Sequence, residues 1–451
     1  MARLGERAVV IGASMGGLLA ARALTEFYDA VTVIERDELP AGCGPRKGVP
    51  QARHGHGLLA KGREVLEQFF PGFTKEMVAQ GASAGDLLDR CLWFNHGVYL
   101  KSAPSGMIGL ALSRPMLEDG VRRRLAQLRN VRIRERCDVL EVAYDGGRRR
   151  VAVRVRGAGC AKEGETIAAD LVVDASGRGS RSPDWLRAMG YASPAEEEIA
   201  VDVWYTTRQY RRRPEQLGGR IAVVMAACHP DWRGGALIAQ EGDRWILSLG
   251  GYLGDRAPQD DAGFLNYVRS LQRPEIYDVI RDAEPLNEPT LYHFKANLRH
   301  RYERSPAFPE GFLVFRDALC SFNPVYGQGM TVACLEAAAL RACLARGSQA
   351  IGLRFFRAAA QVVDTPWQIA VGSDLQHPKV AGKRTAPTRF VNWYVGKLYR
   401  AAEHDEVLAK SFLEVANLMN KPEALLRPQI MRRVWAGGRR RGYRQPEPAV
   451  A

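Results

Sequence analysis

Apolar positions fall into short runs whose spacing changes along the chain. Residues 7–11 are apolar and β-branched, which suits a buried strand. Residues 12–17 (GASMGG) permit a tight turn, and residues 18–24 are rich in the helix formers Ala and Leu. A second strand over 31–34 ends at Glu35, so the first element group is a βαβ unit. Residues 40–57 (PAGCGPRKGVPQARHGHG) form a loop, too long for a simple connection and therefore a candidate for function. The pattern then predicts a helix over 58–70, stopped by Pro71 and Gly72, and irregular or strand-like chain over 86–112. A helix with its charges on one face follows over 114–128, and then extended runs at 131–136, 151–156 and 167–173.

From residue 199 to 249 the character changes. IAVDVWYTTRQY, RIAVVMAA, GALIAQ and RWILSL alternate or are β-branched, with turn residues between them. They predict an antiparallel sheet with one face of large side chains. Beyond it come a helix over 264–281, a short buried strand over 311–315 and a helix over 327–345. The chain then stays mainly helical to about residue 435 and ends in a basic, Pro-containing tail expected to fray. The fold class is α/β: a Rossmann-like domain, an antiparallel-sheet domain and a C-terminal helical region.

Composition narrows this picture. A chain of 451 residues, 46% hydrophobic and 25% charged, makes an ordinary globular protein of two or three domains. No run of about 18 apolar residues would span a membrane. Arg3 and Arg7 precede an apolar stretch, but Glu6 lies among them and the helix leads straight into a strand, which argues against a signal peptide. Eight cysteines without a C-x-x-C pair point to a reducing, cytoplasmic setting and to neither a disulfide framework nor a zinc site. His54 and His56 have no carboxylate or cysteine cluster beside them, so no metal is expected. The formal charge of +14 is spread, densest at 211–213 and 439–441, without interleaved aromatics. It is read as solvated surface that attracts anionic cofactors, ahead of nucleic-acid binding or contact with a membrane surface.

Candidate chemistry begins at the first turn. Gly12, Ser14 and Gly17 stand where a dinucleotide-binding turn has G-x-G-x-x-G, with Met15 and Gly16 between. The helix start offers free N–H groups to a pyrophosphate. Glu35, about 20 residues on and followed by Arg36, would accept from a ribose hydroxyl. Ser14 replaces the middle glycine, and its hydroxyl could itself donate to phosphate.

Further stretches complete the set. DLVVDASGRGSR (170–181) holds Asp174 and Gly177; LVFRDALCSFNPVYGQGM (313–330) holds Asp317 and the loop Pro324–Gly329, including Gly327 and Gln328, then Met330. PRKGVPQARHGH holds Arg46, Gln51 and His54, and LSRPMLEDGVRRRL holds Arg114. In these motifs, their order and their spacing, the chain resembles the flavoprotein monooxygenases of the para-hydroxybenzoate hydroxylase fold over residues 1–345. More narrowly it resembles the FAD-dependent epoxidases and hydroxylases of secondary metabolism, with squalene epoxidase and styrene monooxygenase as more distant relatives. The resemblance implies a glutathione-reductase-type FAD-binding domain in three parts (1–85, 113–190, 291–345). Substrate-domain strands lie at 86–112, the antiparallel-sheet substrate domain at 191–290, C-terminal helices at 346–435 and the basic tail at 436–451. It implies that Asp174 is the acidic residue of the D-G motif, that Asp317 bonds the ribityl chain and that the loop 324–329 faces the flavin's pyrimidine edge. Arg46 and Arg114 would reach phosphate or flavin oxygens. Arg316 stands where the family has glycine; an Arg pointing outward from a strand would be tolerated there, and one that does not would have taken over a phosphate or flavin contact.

The activity implied is FAD-dependent monooxygenation: one oxygen of O2 is inserted through a flavin C4a-hydroperoxide, and the flavin carries the chemistry. No catalytic base is found in the sequence. That favours epoxidation of an alkene in an apolar, polyene or polyketide-like substrate over hydroxylation of an aromatic ring. A prenyl-reductase-like alkene reductase and a halogenase are the remaining alternatives, although the halogenase W-x-W-x-I-P signature is absent. Trp204, Tyr205, Trp245, Tyr252 and Phe264 are the candidate pocket residues. A second G-x-G-x-x-G unit is missing, so electrons come either from NADPH bound transiently or from a separate flavin reductase.

Overall fold

A computed structural model describes residues 3–146, 150–158 and 164–439. The first sheet has five parallel strands in the order Phe312–Val314, Leu171–Asp174, Gly5–Ile11, Tyr28–Ile34, Val131–Arg134. Its central strands are covered on both faces, which is why they read as unbroken apolar runs. Helix Met15–Leu24 lies between this sheet and helix Gly329–Leu344, with nine of its ten residues buried.

A second sheet has eight strands: Cys320–Ser321, Thr290–His300, Glu196–Arg211, Arg244–Tyr252, Arg233–Gln240, Ala222–Met225, Cys91–Asn95 and Val98–Tyr99. Every neighbouring pair is antiparallel except Ala222–Met225 with Cys91–Asn95. Strand Thr290–His300 carries this sheet past residue 249, where the alternating pattern ends. Two three-stranded antiparallel sheets complete the β structure. Helices Ile351–Asp374, Ala386–Ala401, Glu406–Ala416 and Pro428–Arg439 follow. Buried residues of the last three share one apolar cluster with the large sheet, Tyr394, Leu413 and Val434 meeting the group of Phe94 and Met225.

Several elements depart from the pattern, each for a physical reason. The run 167–173 is two strands, Glu165–Ala169 and Leu171–Asp174. Asp170 turns the chain between two sheets, its carboxylate accepting from the backbone N–H of Glu6 and Arg7 at 2.7 and 3.0 Å. Strand Cys137–Asp145 was hidden by its mixed polar pattern. The helix over 264–281 is two, Asp261–Arg269 and Glu275–Ile280, parted by a segment ending in Pro274. Helix Arg114–Ala126 does not keep its charges on one face. Arg114, Glu118 and Asp119 are buried, because the loop 40–53 packs over them and brings Arg46 to Glu118 at 3.0 Å. Of the basic tail, residues 440–451 lie outside the described residues. Among the described residues no helix is long and apolar enough to cross a membrane.

Candidate active site

Close packing dictates the first turn. Gly12 has φ +98°, and a Cβ there would come within 2.7 Å of the Ala175 carbonyl oxygen. A Cβ on Gly17 would come within 1.7 Å of the Gly12 carbonyl oxygen, so the helix sits directly on the end of the first strand. Ser14 is the N-cap residue, yet its hydroxyl makes no capping bond. That hydroxyl and the unpaired N–H groups of the first helical turn are free for an anion.

Behind the turn, the carboxylates already have partners. Glu35 is buried; one oxygen accepts from Ala13 N at 2.8 Å and pairs with Arg46 at 2.9 Å, and the other accepts from Asp37 N at 3.0 Å. Arg46 also meets Asp37 at 3.2 Å and Glu118 at 3.0 Å, one cation among three carboxylates. Arg36 is exposed. Asp174 is fully buried, and it accepts from Ser176 N at 2.9 Å and from the hydroxyls of Ser180 and Ser182. It folds the turn in which Gly177 adopts φ +89°.

A cavity of about 420 Å³ starts at the first helix and runs to the face of the large sheet. Of the residues singled out from sequence, its wall contains Ser14, Met15, Gly16, Gln51, His54, Arg114, Asp317, Pro324, Gly327, Gln328, Gly329 and Met330, with Tyr205 and Tyr252. Gly12, Gly17, Glu35, Arg36, Arg46, Asp174 and Gly177 stand behind it or outside it. Trp204, Trp245 and Phe264 are not in the wall either. Neighbouring residues of a strand point to opposite faces, so Trp204 and Tyr205 cannot both face the cavity. Trp204 stacks on His293, with ring centroids 4.2 Å apart. Trp245 pairs with Tyr210 across the strands, and Tyr210 lies against Phe264. These rings lie on the sheet's other face, Trp245 and Phe264 in the core and Trp204 half-buried.

Arg316 differs most from expectation. It lies in a tight turn, not a strand, at φ +61°, and its side chain is largely buried. Its guanidinium donates to the carbonyl oxygens of Gly329 (2.9 Å) and Cys320 (3.0 Å) and pairs with Asp317 at 2.6 Å. It thus points inward, between Gly16 at one helix start and Gly329 at the other. Its backbone N–H donates to Glu336 at 2.9 Å, and burial pushes the pKa of that carboxyl up to about 7.

Two polar networks line the wall. His54 Nδ1 is 2.7 Å from Thr207 Oγ1, which is 2.6 Å from Ser248 Oγ; Gly55 N donates to Ser248 Oγ at 2.7 Å. Burial, with Arg53 nearby, pushes His54 down to about 4, so the imidazole is neutral at pH 7. The second network centres on Asp374, fully buried at the end of helix Ile351–Asp374. Tyr252 (2.7 Å), Tyr326 (2.8 Å) and Asn323 (2.9 Å) donate to one oxygen and Asn297 (2.8 Å) to the other. Tyr205 donates to Asn323 Oδ1. Burial raises the Asp374 pKa against these hydrogen bonds. The sequence reading missed Asp374, Asn297, Thr207 and Ser248. The available signals were an acid inside the apolar stretch WQIAVGSDL and a hydroxyl two residues from Tyr205 on the same strand face.

No protein-family model matches the chain. Protein Rv3254 of Mycobacterium tuberculosis is 35% identical over 428 residues, covering 92% of this chain and 90% of that protein. Among solved structures, a flavoprotein/dehydrogenase from Cytophaga hutchinsonii superposes with TM-score 0.67 at 15% identity (96% of this chain, 99% of that one). CmlS, a flavin-dependent halogenase, gives 0.64 at 17% (93% and 77%). A variant of 2-methyl-3-hydroxypyridine-5-carboxylic acid oxygenase gives 0.63 at 18% (92% and 98%). At such identities the likeness is one of fold.

Proposed function

The chain belongs to the family of Mycobacterium tuberculosis protein Rv3254 and has the fold of the para-hydroxybenzoate-hydroxylase-type flavoproteins, and from that premise we propose that it is an FAD-dependent monooxygenase acting on an apolar small molecule, with alkene epoxidation the favoured reaction. The observation that carries this reading is the single cavity joining an anion-ready helix start at Ser14–Gly16 to an apolar sheet face. FAD carries an anionic diphosphate between its adenosine and its planar isoalloxazine ring, and the wall offers groups for the diphosphate and for the ring. Arg114 is buried in the wall; its Nε makes no hydrogen bond, its nearest carboxylate being Glu118 at 3.7 Å, so it keeps donor capacity for an anionic oxygen.

In this reading the first helical turn and Ser14 hold the pyrophosphate, and Arg114 and Arg316 add positive charge beside it. Glu35, already engaged by Ala13 N, Arg46 and Asp37 N, has one lone pair left to offer a ribose hydroxyl. Asp317 faces the ribityl chain, and the loop from Pro324 to Gly329 the ring. Reduced flavin supplies the activation of O2 and the transfer of one of its atoms. The protein excludes water and places the substrate against Ile221, Val224, Met225 and Ile238. The titratable groups described in the wall are engaged or weakly basic, which supports epoxidation: burial pushes His56 down to about 3, and Asp317 pairs with Arg316 at 2.6 Å. Asp374 is fully buried and already accepts from four donors, three on one oxygen and one on the other. Burial makes His54 a weak base, pushed down to about 4, and its Nδ1 is already hydrogen-bonded with the Thr207 hydroxyl, which is shared in turn with Ser248.

The test reconstitutes the protein with FAD, reduces it with NADPH or a separate reductase, and supplies labelled O2 with a panel of polyenes and phenols. One labelled oxygen in the product is expected, as an epoxide. A phenol product would move the assignment to ring hydroxylation, a halogenated product to the halogenases, and a gain of two hydrogens without O2 would overturn oxygenation.

A further inference from the structure

Helix Ala386–Ala401 has two unlike faces. Inward, Tyr394, Leu398 and Tyr399 are buried, and Tyr399 forms part of the cavity wall. Outward, Phe390, Val391 and Trp393 are 48%, 50% and 44% exposed. Trp435, on helix Pro428–Arg439, is 45% exposed, its ring centroid 5.8 Å from that of Trp393. Lys397 lies over both indoles, at 5.2 and 5.9 Å. The rings of Phe390, Trp393 and Trp435 thus form one exposed patch with a cation beside the indoles, where a soluble surface normally scatters such residues singly.

The charge around the patch has one sign. Residues 375–401 and 427–439 together hold ten Lys and Arg and no Asp or Glu, whereas the intervening 402–426 hold five acidic residues. Leaving aside Arg439, whose side chain is outside the described ones, only Arg433 of these is ion-paired with a carboxylate, that of Asp405, among the described residues. Lys379, Lys383, Arg389, Arg400, Arg427 and Arg432, on the same two stretches of chain, are exposed.

We propose that this face docks on the surface of an anionic lipid bilayer, with Phe390, Trp393 and Trp435 at headgroup depth and the basic residues over the anionic lipids. Amphipathic aromatic rings favour that depth, and basic side chains beside them are drawn to the negative surface. Charge complementarity selects this occupant. A second copy of the chain, docked face to face, would set the basic rim against itself. The same helix forms the cavity wall on its inner side, so docking would bring the cavity next to a reservoir of apolar molecules. The proposal stands on the patch alone and does not need the flavin reading.

The experiment is co-sedimentation of the full chain with phosphatidylcholine vesicles and with vesicles containing phosphatidylglycerol, while Trp fluorescence is recorded. Binding to the anionic vesicles, weaker at high salt and accompanied by a blue shift, is expected. Trp393→Ser with Trp435→Ser should lower the partition coefficient by about tenfold or more, and Arg389→Glu with Lys397→Glu by a similar factor. An unchanged melting temperature shows that these exposed substitutions leave the fold intact. Equal binding to neutral and anionic vesicles, or none to either, overturns the proposal. So does a dimer in sedimentation velocity that the Trp pair dissolves, or a short DNA duplex that binds more tightly than the anionic vesicles.

Discussion

The two ends of the cavity are built in opposite ways. At the helix-start end, the turn is a local object. Gly12, Ser14 and Gly17 are neighbours in sequence, and backbone contact between Gly12 and Gly17 fixes the shape. At the sheet end, the Asp374 cluster draws Tyr205, Tyr252, Asn297, Asn323 and Tyr326 from three strands and a loop onto one carboxylate. The first end depends on the absence of side chains, the second on complete satisfaction of polar ones. The comparison teaches that two walls of one cavity can fail for unrelated reasons, steric in one and electrostatic in the other.

The largest expected effect breaks the first end. In Gly17→Val, the new Cβ has no room, because even alanine's would lie 1.7 Å from a backbone oxygen. The strand and helix must part, at a cost above about 4 kcal/mol, and thermal unfolding by circular dichroism should show a destabilised or unfolded chain that takes up no FAD. A stable Gly17→Val protein with full flavin occupancy would mean that the close approach has been misread. Next comes the second end. Asp374→Leu keeps the volume but strands four buried donors, which costs about 3–5 kcal/mol. A denaturant titration should register that loss. Glu35→Gln sharpens the contrast: it should cost less than Asp374→Leu, since Asp37 and Glu118 still hold Arg46.

This difference also sets what the sequence could reveal. A turn made of adjacent residues leaves its signature in spacing, so the glycines, the βαβ order and the long helix-opening loop at 324–329 were all legible. So were the four alternating segments that became strands of the large sheet. The Asp374 cluster spans residues 205 to 374, and no spacing rule connects them. Pocket rings were half legible for the same reason. Composition marked the sheet as aromatic-rich, but only strand pairing showed that Trp204 and Trp245 share the face opposite Tyr205. The inward Arg316 was illegible because its direction follows from a positive φ that a side chain of its kind rarely adopts.

A smaller effect, dependent on pH, tests the seam between the ends, where Glu336 lies under Arg316. The native carboxyl holds its proton up to about pH 7, whereas the ordinary value is 4.5. Between those values the folded state binds more protons than the unfolded one, so this group's contribution to stability falls as pH rises through the window and stays low above it. At about 1.4 kcal/mol for each tenfold change in proton affinity, the full loss is on the order of 3 kcal/mol at most. Glu336→Gln should therefore be more stable than the parent at pH 8 and close to it at pH 4.5. Melting curves at the two pH values would check this, and an equal shift at both would place the cause in packing.

The smallest expected effect on stability, and the finest test of the comparison, is Arg316→Gly. Glycine relieves a left-handed backbone conformation, a gain of about 1 kcal/mol. It also removes the bonds to the Gly329 and Cys320 carbonyls and the pairing with Asp317, which together contribute a similar amount. The two changes offset each other, so the melting temperature of the flavin-free protein should move little. Flavin binding should not be neutral. Arg316 stands between the starts of two helices, where it adds a full charge to their partial ones. Its loss should weaken FAD about tenfold, the worth of one charge-assisted hydrogen bond, and fluorescence titration with FAD would measure it. A tighter FAD complex in Arg316→Gly would reverse the reading. The guanidinium would then be an obstacle in the cofactor's path, and the helix starts alone would carry the phosphates.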